Sequence, residues 1–327
     1  MDEEKLLEIK DLQVRFYSDG VMTAAIDDVN LYVNPGETLG VAGESGCGKS
    51  VTAMSILQLI PNPPGKIENG EIIFKGEDLL KKTTKEMRHV RGKDISMIFQ
   101  EPMTSLNPVF TVGRQITETI LVHQDVSKAE ANAKAIEMLK LVGIPLPEQR
   151  MKEYPHQLSG GMRQRVMIAI ALSCKPALLI ADEPTTALDV TIQAQILDLM
   201  RQMKDELGMS IIFITHDMGV IAEMSDRVAI MYAGRIVEQA AVEDLFAKPV
   251  HPYTAGLLNS ITKIGNRGRL DTIRGVVPEF SNLPKGCRFC PRCDFSITRC
   301  EEEEPVFEEI APGHFVSCFR SRERMER

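Results

Sequence analysis

Eight consecutive residues have the types and spacing needed to bind a phosphate group. They are Gly43, Glu44, Ser45, Gly46, Cys47, Gly48, Lys49 and Ser50. The glycines let backbone N–H groups turn inward around an anion, and the N-terminus of a following helix adds positive potential. Lys49 can reach the β- and γ-phosphates of a nucleotide, and the Ser50 hydroxyl can ligate Mg²⁺. This segment follows a strand-like run and precedes a helix-compatible one, so we interpret it as a nucleotide phosphate loop; the alternative is a glycine-rich turn.

Two adjacent carboxylates follow a second apolar run. Asp182 and Glu183 come directly after Leu178 to Ala181, at the carboxyl end of a predicted buried strand. Ligands of α/β proteins bind at such strand ends. Beside a phosphate loop, Asp182 can hold Mg²⁺, often through water, and Glu183 can polarise the water that attacks the γ-phosphate. Taken alone, the pair is better explained as a polar strand end.

A third string gives a resemblance to a known family. Residues 158–165, LSGGMRQR, resemble the LSGGQ signature of ABC ATPases, with Met162 at the position of the usual Gln. Further matches follow the order and spacing of that family over about residues 7–245. They are Gln100 for the Q-loop, Ala187, Leu188 and Asp189 for the D-loop, His216 for the switch histidine, and Phe16, or its neighbour Tyr17, for the aromatic that stacks on adenine.

The resemblance implies how these residues act. ATP lies between the phosphate loop of one subunit and the elements Ser159, Gly160, Gly161 and Asp189 of another. Gln100 joins Ser50 and Asp182 around Mg²⁺, and Glu183, His216 and Gln100 serve catalysis. Met162 is a tolerable departure, because the chemistry needs the serine hydroxyl, the glycine amides and the helix N-terminus that follows.

Composition excludes several other classes. The 327 residues are 43% hydrophobic and 26% charged, which is ordinary for a soluble globular protein. A net charge of -8 and the absence of Trp argue against a nucleic-acid-binding surface. Residues 166–174 form the longest nearly apolar stretch, which is too short to span a bilayer, and the start MDEEK does not resemble a signal peptide. We therefore predict a cytoplasmic protein that reaches any membrane through partners.

The pattern along the chain predicts an α/β fold. Alternating apolar residues and turn signals predict a β-rich N-terminal part, which the resemblance implies is an antiparallel β subdomain, and short apolar runs separated by helical segments predict a doubly wound core. Ser127 and Glu130 form a capping box, and Gly208 ends a later helix. We expect a P-loop NTPase-type ABC ATPase core over residues 1–245, a helical subdomain inserted at about 101–175, and a cysteine-rich C-terminal extension over 246–327 that packs on the core.

The extension carries the second chemical signal. Five of the seven cysteines fall within residues 287–318, which favours a metal site in a chain without an export signal. The strings 250–254, VHPYT, and 284–287, PKGC, resemble the extension of peptide importer ATPases. That resemblance implies a [4Fe–4S] cluster on Cys287, Cys293, Cys300 and Cys318, with Cys290 as an extra cysteine. Zn²⁺ or unligated thiols stay open, and the ferredoxin-like spacing of 287, 290 and 293 leaves open that Cys290 replaces one ligand.

The resemblance also implies partners: a second ABC ATPase subunit in a heterodimer, two membrane permease subunits and, indirectly, an extracytoplasmic peptide-binding protein. The chain would then act at the cytoplasmic face of the membrane in peptide import. The sequence leaves open a homodimer, and nickel or another small solute as cargo. A DNA-maintenance ATPase is disfavoured because no sustained heptads separate Lys49 from Ser159. A ribosome-acting ABC protein is disfavoured because the chain has one cassette. A non-hydrolysing cassette is disfavoured because Glu183 and His216 are present.

Overall fold

The computed structural model describes residues 5–18, 20–100, 106–186, 188–260 and 273–326. The chain divides into two compact units, one formed by Met1–Lys81 with Phe213–Arg327 and the other by Lys82–Ile212. Two sequence predictions touch residues outside this description: the D-loop residue Ala187 and the start of the helical subdomain at residue 101.

The secondary structure alternates between strands and helices along the described residues. The strands are β1 (Leu7–Ser18), β2 (Val21–Val33), β3 (Thr38–Ala42), β4 (Gly65–Phe74), β5 (Glu77–Asp78), β6 (Ile95–Ile98), β7 (Leu178–Asp182), β8 (Ser210–Thr215), β9 (Arg227–Tyr232), β10 (Arg235–Ala241), β11 (Glu308–Ala311) and β12 (His314–Val316). The helices are α1 (Lys49–Ile56), α2 (Thr84–Val90), α3 (Val112–His123), α4 (Lys128–Leu141), α5 (Pro147–Arg150), α6 (Gly160–Leu172), α7 (Val190–Leu207), α8 (Met218–Met224), α9 (Val242–Ala247), α10 (Pro252–Asn259), α11 (Thr298–Glu302) and α12 (Ser321–Glu326).

The first unit begins with an antiparallel sheet in the order β2-β1-β4-β5. Along β1, Leu7, Ile9, Leu12 and Val14 are buried, and β1 pairs with both β2 and β4. Successive side chains of a strand point to opposite faces, so Leu7 shares a face with Ile9, and the register shift between Ile9 and Leu12 leaves Leu12 and Val14 buried as well. The predicted N-terminal antiparallel β subdomain is confirmed.

A second sheet of this unit carries the phosphate-loop strand. Strand β3 pairs in parallel with β9, and β9 pairs antiparallel with β10. All residues of β3 and β9 are buried, as expected for strands covered on both faces. The hairpin of β11 and β12 extends the sheet by pairing with β10. The C-terminal extension therefore packs on the core, as predicted.

The second unit contains the parallel pair β6 and β7 and the helices α2 to α7. The predicted capping box is present: Ser127 Oγ accepts from the Glu130 N–H at 3.3 Å, and the Glu130 carboxylate accepts from the Ser127 N–H at 2.7 Å. Helix α7 ends at Gly208, which has a φ of 63°. Among the described helices, none is both long and apolar enough to cross a membrane.

Candidate functional site

The phosphate loop of residues 43–50 lies between β3 and α1, as the sequence predicts. Two of its glycines have a positive φ and also lie where a side chain would clash with nearby atoms. Gly43 has a φ of 152°, and a Cβ there would lie 2.1 Å from the Met231 carbonyl oxygen. Gly48 has a φ of 111°, and a Cβ there would lie 2.9 Å from the Ala25 carbonyl oxygen. At these two positions the loop backbone packs directly on the backbone of Met231 and Ala25, and only glycine, which has no Cβ, permits so close an approach.

Lys49 is buried at the start of α1. Its ammonium donates to the carbonyl oxygens of Gly43 at 2.7 Å and Glu44 at 3.0 Å. These bonds satisfy the buried charge and hold the side chain across its own loop. Ser50 follows in the first turn of α1, and its hydroxyl is the hard oxygen donor that Mg²⁺ prefers.

Cys47 is also buried in this loop. Burial raises the pKa of its thiol against the opposing charge of Lys49, so the thiol stays protonated at neutral pH. Cys47 therefore fills the space behind the loop as a small buried side chain.

The C-terminal extension contacts the phosphate loop at Glu44, which the sequence did not predict. The guanidinium of Arg292 donates to both carboxylate oxygens of Glu44, at 2.7 and 3.0 Å. The Glu44 N–H donates to the hydroxyl of Tyr253 at 2.8 Å. Arg292 lies between two of the predicted ligand cysteines, but nothing in the sequence relates it to a residue almost 250 positions earlier.

The contacts made by the VHPYT string, residues 250–254, explain how Tyr253 reaches the phosphate loop. The buried carboxylate of Glu238 accepts from the N–H groups of Val250 and His251, at 2.8 and 2.9 Å. His251 then caps α10 by accepting from the Tyr253 N–H at 3.1 Å, and Pro252 occupies the first helical position. These contacts fix the start of α10, so that the Tyr253 ring packs between Tyr232 and Phe289.

The second unit brings Gln100 and Glu183 together. The Gln100 amide donates to a carboxylate oxygen of Glu183 at 3.0 Å, and the Thr186 hydroxyl donates to the same oxygen at 2.9 Å. Glu183 has a φ of 47°, an uncommon value for a residue with a side chain. Asp182, the last residue of β7, is buried. The two adjacent carboxylates thus have different environments, as their proposed roles require.

The signature residues lie at the start of α6. Ser159 caps this helix by accepting from the Met162 N–H at 3.3 Å, so its hydroxyl and the helix N-terminus face the same side. A Cβ on Gly160 would meet nothing within 4 Å, whereas Gly161 packs on Ile192 of α7. Asp189 caps α7 by accepting from the Ile192 N–H at 3.0 Å. Gln164, one turn into α6, donates to the carbonyl oxygen of Pro184, next to Glu183.

The remaining predicted residues lie in the first unit. His216 is exposed between β8 and α8, and the following residue, Asp217, caps α8. Phe16 is partly buried on β1, and a Cβ on Gly65 would lie 2.9 Å from its ring. Tyr17 is 50% exposed, and its hydroxyl donates to Glu68 at 3.0 Å. The choice of adenine-stacking residue stays a prediction.

The five cysteines of the extension converge. Cys287, Cys290, Cys293, Cys300 and Cys318 line one small cavity, together with apolar side chains that include Phe289, Phe295 and Phe319. Burial raises the pKa of the Cys287 thiol to about 12, and it also raises the pKa values of Cys290, Cys293 and Cys318. Within the described ranges, no group of three or more His, Cys, Asp or Glu side chains is arranged to hold a metal ion. The thiols are therefore gathered without forming a single-ion site.

Comparisons with known proteins agree with these features. The ABC transporter family matches residues 26–186, and the oligopeptide/dipeptide transporter C-terminal region matches residues 237–300. The chain is 58% identical to the probable peptide ABC transporter ATP-binding protein y4tR of Sinorhizobium fredii, over 97% of this chain and 96% of that one. It is 52% identical to the oligopeptide transport ATP-binding protein OppD of Bacillus subtilis, over 95% and 88%.

The fold agrees as well. The dimeric post-hydrolysis structure of the ATP-binding cassette MJ0796 bound to ADP and Pi is similar with a TM-score of 0.65 and 27% identity, over 72% of this chain and 98% of that one. The chain therefore belongs to the ABC transporter family, among the ATP-binding proteins that carry the oligopeptide/dipeptide transporter C-terminal region.

Proposed function

We propose that this chain is the ATP-hydrolysing subunit of a di- or oligopeptide importer, acting at the cytoplasmic face of the membrane. The observation that carries the proposal is that one chain contains both a phosphate loop and a C-terminal extension of the peptide-transporter type, and that the extension contacts the loop. Two relatives whose names specify peptide or oligopeptide transport are similar over nearly the whole chain.

The described residues suit the steps of ATP hydrolysis. Backbone N–H groups of the loop, other than that of Glu44, which bonds to Tyr253, hold the phosphates together with the Lys49 ammonium. Ser50, Asp182 and Gln100 offer the oxygen donors that suit Mg²⁺, which when bound neutralises phosphate charge. Glu183 orients and polarises the attacking water, and its bonds to Gln100 and Thr186 hold its carboxylate in place before reaction. His216 is the further catalytic residue.

We propose that the ATPase works as a pair of subunits. Ser159, Gly160 and Gly161 of each chain face solvent or are only partly covered, and they present a helix N-terminus suited to the γ-phosphate bound by a partner. The partner is a second ABC ATPase subunit in a heterodimer. Closure over ATP and reopening after hydrolysis would then move two permease subunits, which receive peptide from an extracytoplasmic binding protein.

We also propose that the cysteine cavity binds a [4Fe–4S] cluster through Cys287, Cys293, Cys300 and Cys318. The donor set fits, because thiolates are the ligands of such clusters and the surrounding side chains are apolar. Four thiolates, those of Cys287, Cys293, Cys300 and Cys318, would hold the cluster if it binds here. The raised pKa values mean that ligation must release protons from buried thiols. When bound, the cluster supplies a cross-link between distant parts of the extension.

Glu183→Gln tests the central proposal. This change keeps the size of the side chain and removes the carboxylate, so we expect turnover to fall by about 10³-fold while ATP still binds and a closed dimer accumulates. ATPase rate, nucleotide binding and dimer formation would be measured on the purified subunits, with the surface variant Glu206→Gln as control. In cells, uptake of labelled di- and oligopeptides should stop. Unchanged turnover would contradict the role of Glu183, and loss of nickel uptake in place of peptide uptake would establish the alternative cargo.

A further inference from the structure

Glu44 is held at three points. Its carboxylate accepts two bonds from Arg292, its N–H donates to Tyr253, and its carbonyl oxygen accepts from Lys49 at 3.0 Å. The first two partners belong to the C-terminal extension, and the third is the phosphate-binding lysine. A single residue of the loop therefore joins the extension to the ammonium that meets the phosphates.

Arg292 is itself held firmly. It lies in a short 3₁₀ turn formed by residues 290–292, and its side chain is 4% exposed. Its Nε donates to the carbonyl oxygen of Arg274 at 2.9 Å, and a terminal nitrogen reaches the Tyr232 hydroxyl at 3.4 Å. Nε and one terminal nitrogen thus have partners besides Glu44, so Arg292 is anchored independently of Glu44 and can fix its carboxylate.

Tyr253 is anchored equally well. Its ring is fully buried, 4.6 Å from the Tyr232 ring centroid and 5.5 Å from that of Phe289. Phe289 follows Cys287 by two residues and also lines the cysteine cavity. The hydroxyl that accepts from the Glu44 N–H is therefore placed by packing on two sides, on Tyr232 of the core and on Phe289 of the cysteine-rich segment.

We propose that Arg292 and Tyr253 are positioning residues of the nucleotide site, through which the C-terminal extension sets the affinity of the phosphate loop for nucleotide. Both contact Glu44, so they act by fixing the backbone of residues 43 and 44. Lys49 donates to the carbonyl oxygens of both residues, and a shift of this backbone displaces the ammonium. The proposal rests on the phosphate-loop assignment made above.

The test is the dissociation constant of ADP, which is not hydrolysed, measured by calorimetry on the full chain. Arg292→Ala should weaken ADP binding about tenfold, a coupling of ordinary size. Tyr253→Phe keeps the ring packing and removes only the hydroxyl, so a loss of about fivefold is expected. Arg292→Lys should recover part of the affinity, because it keeps the charge and loses the paired geometry. In ATPase assays, KM for ATP should rise while kcat changes little.

A double mutant separates positioning from general destabilisation. If Arg292 acts through Glu44, Arg292→Ala should have no further effect on ADP affinity in a Glu44→Ala background. Arg299→Ala is the matched control: Arg299 lies in the same segment, and its contacts are the exposed Glu303 and the Phe319 ring rather than Glu44, so the change should leave ADP affinity unchanged.

The outcomes are distinct. ADP affinity within twofold of the parent in Arg292→Ala and Tyr253→Phe, or additive losses in the double mutant, would overturn the inference. If Arg292→Ala fails to fold, Tyr253→Phe and Arg292→Lys decide, since both preserve volume. Lys49→Ala reports on the assignment beneath it: loss of ADP binding there with no effect of Arg292 would reject this inference alone, and retained binding would reject the phosphate loop itself.

Discussion

The phosphate loop and the cysteine-rich segment are both sites of predicted chemistry, but they are built in different ways. The loop takes its binding groups from eight consecutive residues, and their conformation follows from local glycines and the start of α1. The cysteine-rich segment draws its thiols from positions spread over residues 287–318. A contiguous motif carries its geometry in its own backbone, whereas a dispersed one depends on everything that packs around it.

The contact between the phosphate loop and the cysteine-rich segment shows that the loop does not depend on its own backbone alone. Glu44 belongs to the contiguous motif, yet Arg292 and Tyr253 of the extension hold it. Even the local site therefore has a long-range support. Changes in the loop should affect nucleotide binding alone, and changes in the segment should affect both the cluster proposed there and the loop.

Lys49→Ala gives the largest expected effect. The ammonium is the main cation of the loop, so we expect nucleotide affinity to fall on the order of 100-fold, the equivalent of about one strong charge-assisted hydrogen bond. Thermal unfolding should shift little, because the fold of the loop depends on its glycines. Nucleotide titration and a melting curve would be compared with those of Lys66→Ala, which removes an exposed lysine of β4. Tight binding by Lys49→Ala would contradict the idea of a self-contained phosphate site.

Cys287→Ser tests whether the dispersed site needs all its parts. We expect iron content and broad visible absorbance to fall about tenfold, since one cluster ligand is removed. Cys290→Ser is the matched control from the same cavity and should keep the cluster. A parent protein that is colourless and holds stoichiometric zinc would establish Zn²⁺ instead. Loss of the cluster in Cys290→Ser, with retention in one of the other four, would reassign the ligand set.

Asp27→Asn gives the smallest expected effect and concerns a second tie between core and segment. The pKa of Asp27 is lowered to about 2: burial opposes the charge, but Arg15, Arg288 and Arg235 outweigh it. Because the pKa is lower in the folded state than the unfolded value of 3.8, ionised Asp27 stabilises the fold above about pH 4, and this contribution is lost as the pH falls toward 2.

We expect Asp27→Asn to cost about 1 kcal/mol at pH 7, allowing for solvent screening, and the difference from the parent to vanish near pH 2. Urea unfolding at several pH values would measure it, with the exposed Asp198→Asn as control. If the difference in unfolding free energy between variant and parent stays unchanged at low pH, the ionised carboxylate of Asp27 does not stabilise the fold through its pairing with Arg288.

Much of the fold was predictable because its signals are local. The apolar runs that precede Gly43 and Asp182 form β3 and β7, and the capping box at Ser127 and the glycine at 208 bound helices where expected. Each signal is a property of a few neighbouring residues: burial on both faces, a side chain that satisfies a helix N–H, or a left-handed residue.

The residues of the candidate site were predictable from the sequence, but the hydrogen bonds between them were not. Gln100 and Glu183 were named separately, and their hydrogen bond joins residues 83 positions apart. The role of Asp189 as the cap of α7, and of Gln164 as a donor to the carbonyl next to Glu183, also required the structure. A resemblance identifies which residues act, whereas side-chain partners depend on how elements pack.

The amino-acid pattern alone was sufficient for the phosphate loop, the signature, the order of strands and helices, and the family. These follow from short-range sterics and hydrogen bonding, which the sequence states directly. Tertiary packing was needed to show that five cysteines share one cavity and that Arg292 and Tyr253 hold Glu44. Such contacts arise when a buried charge or donor must find a partner in the folded chain, wherever in the sequence that partner lies.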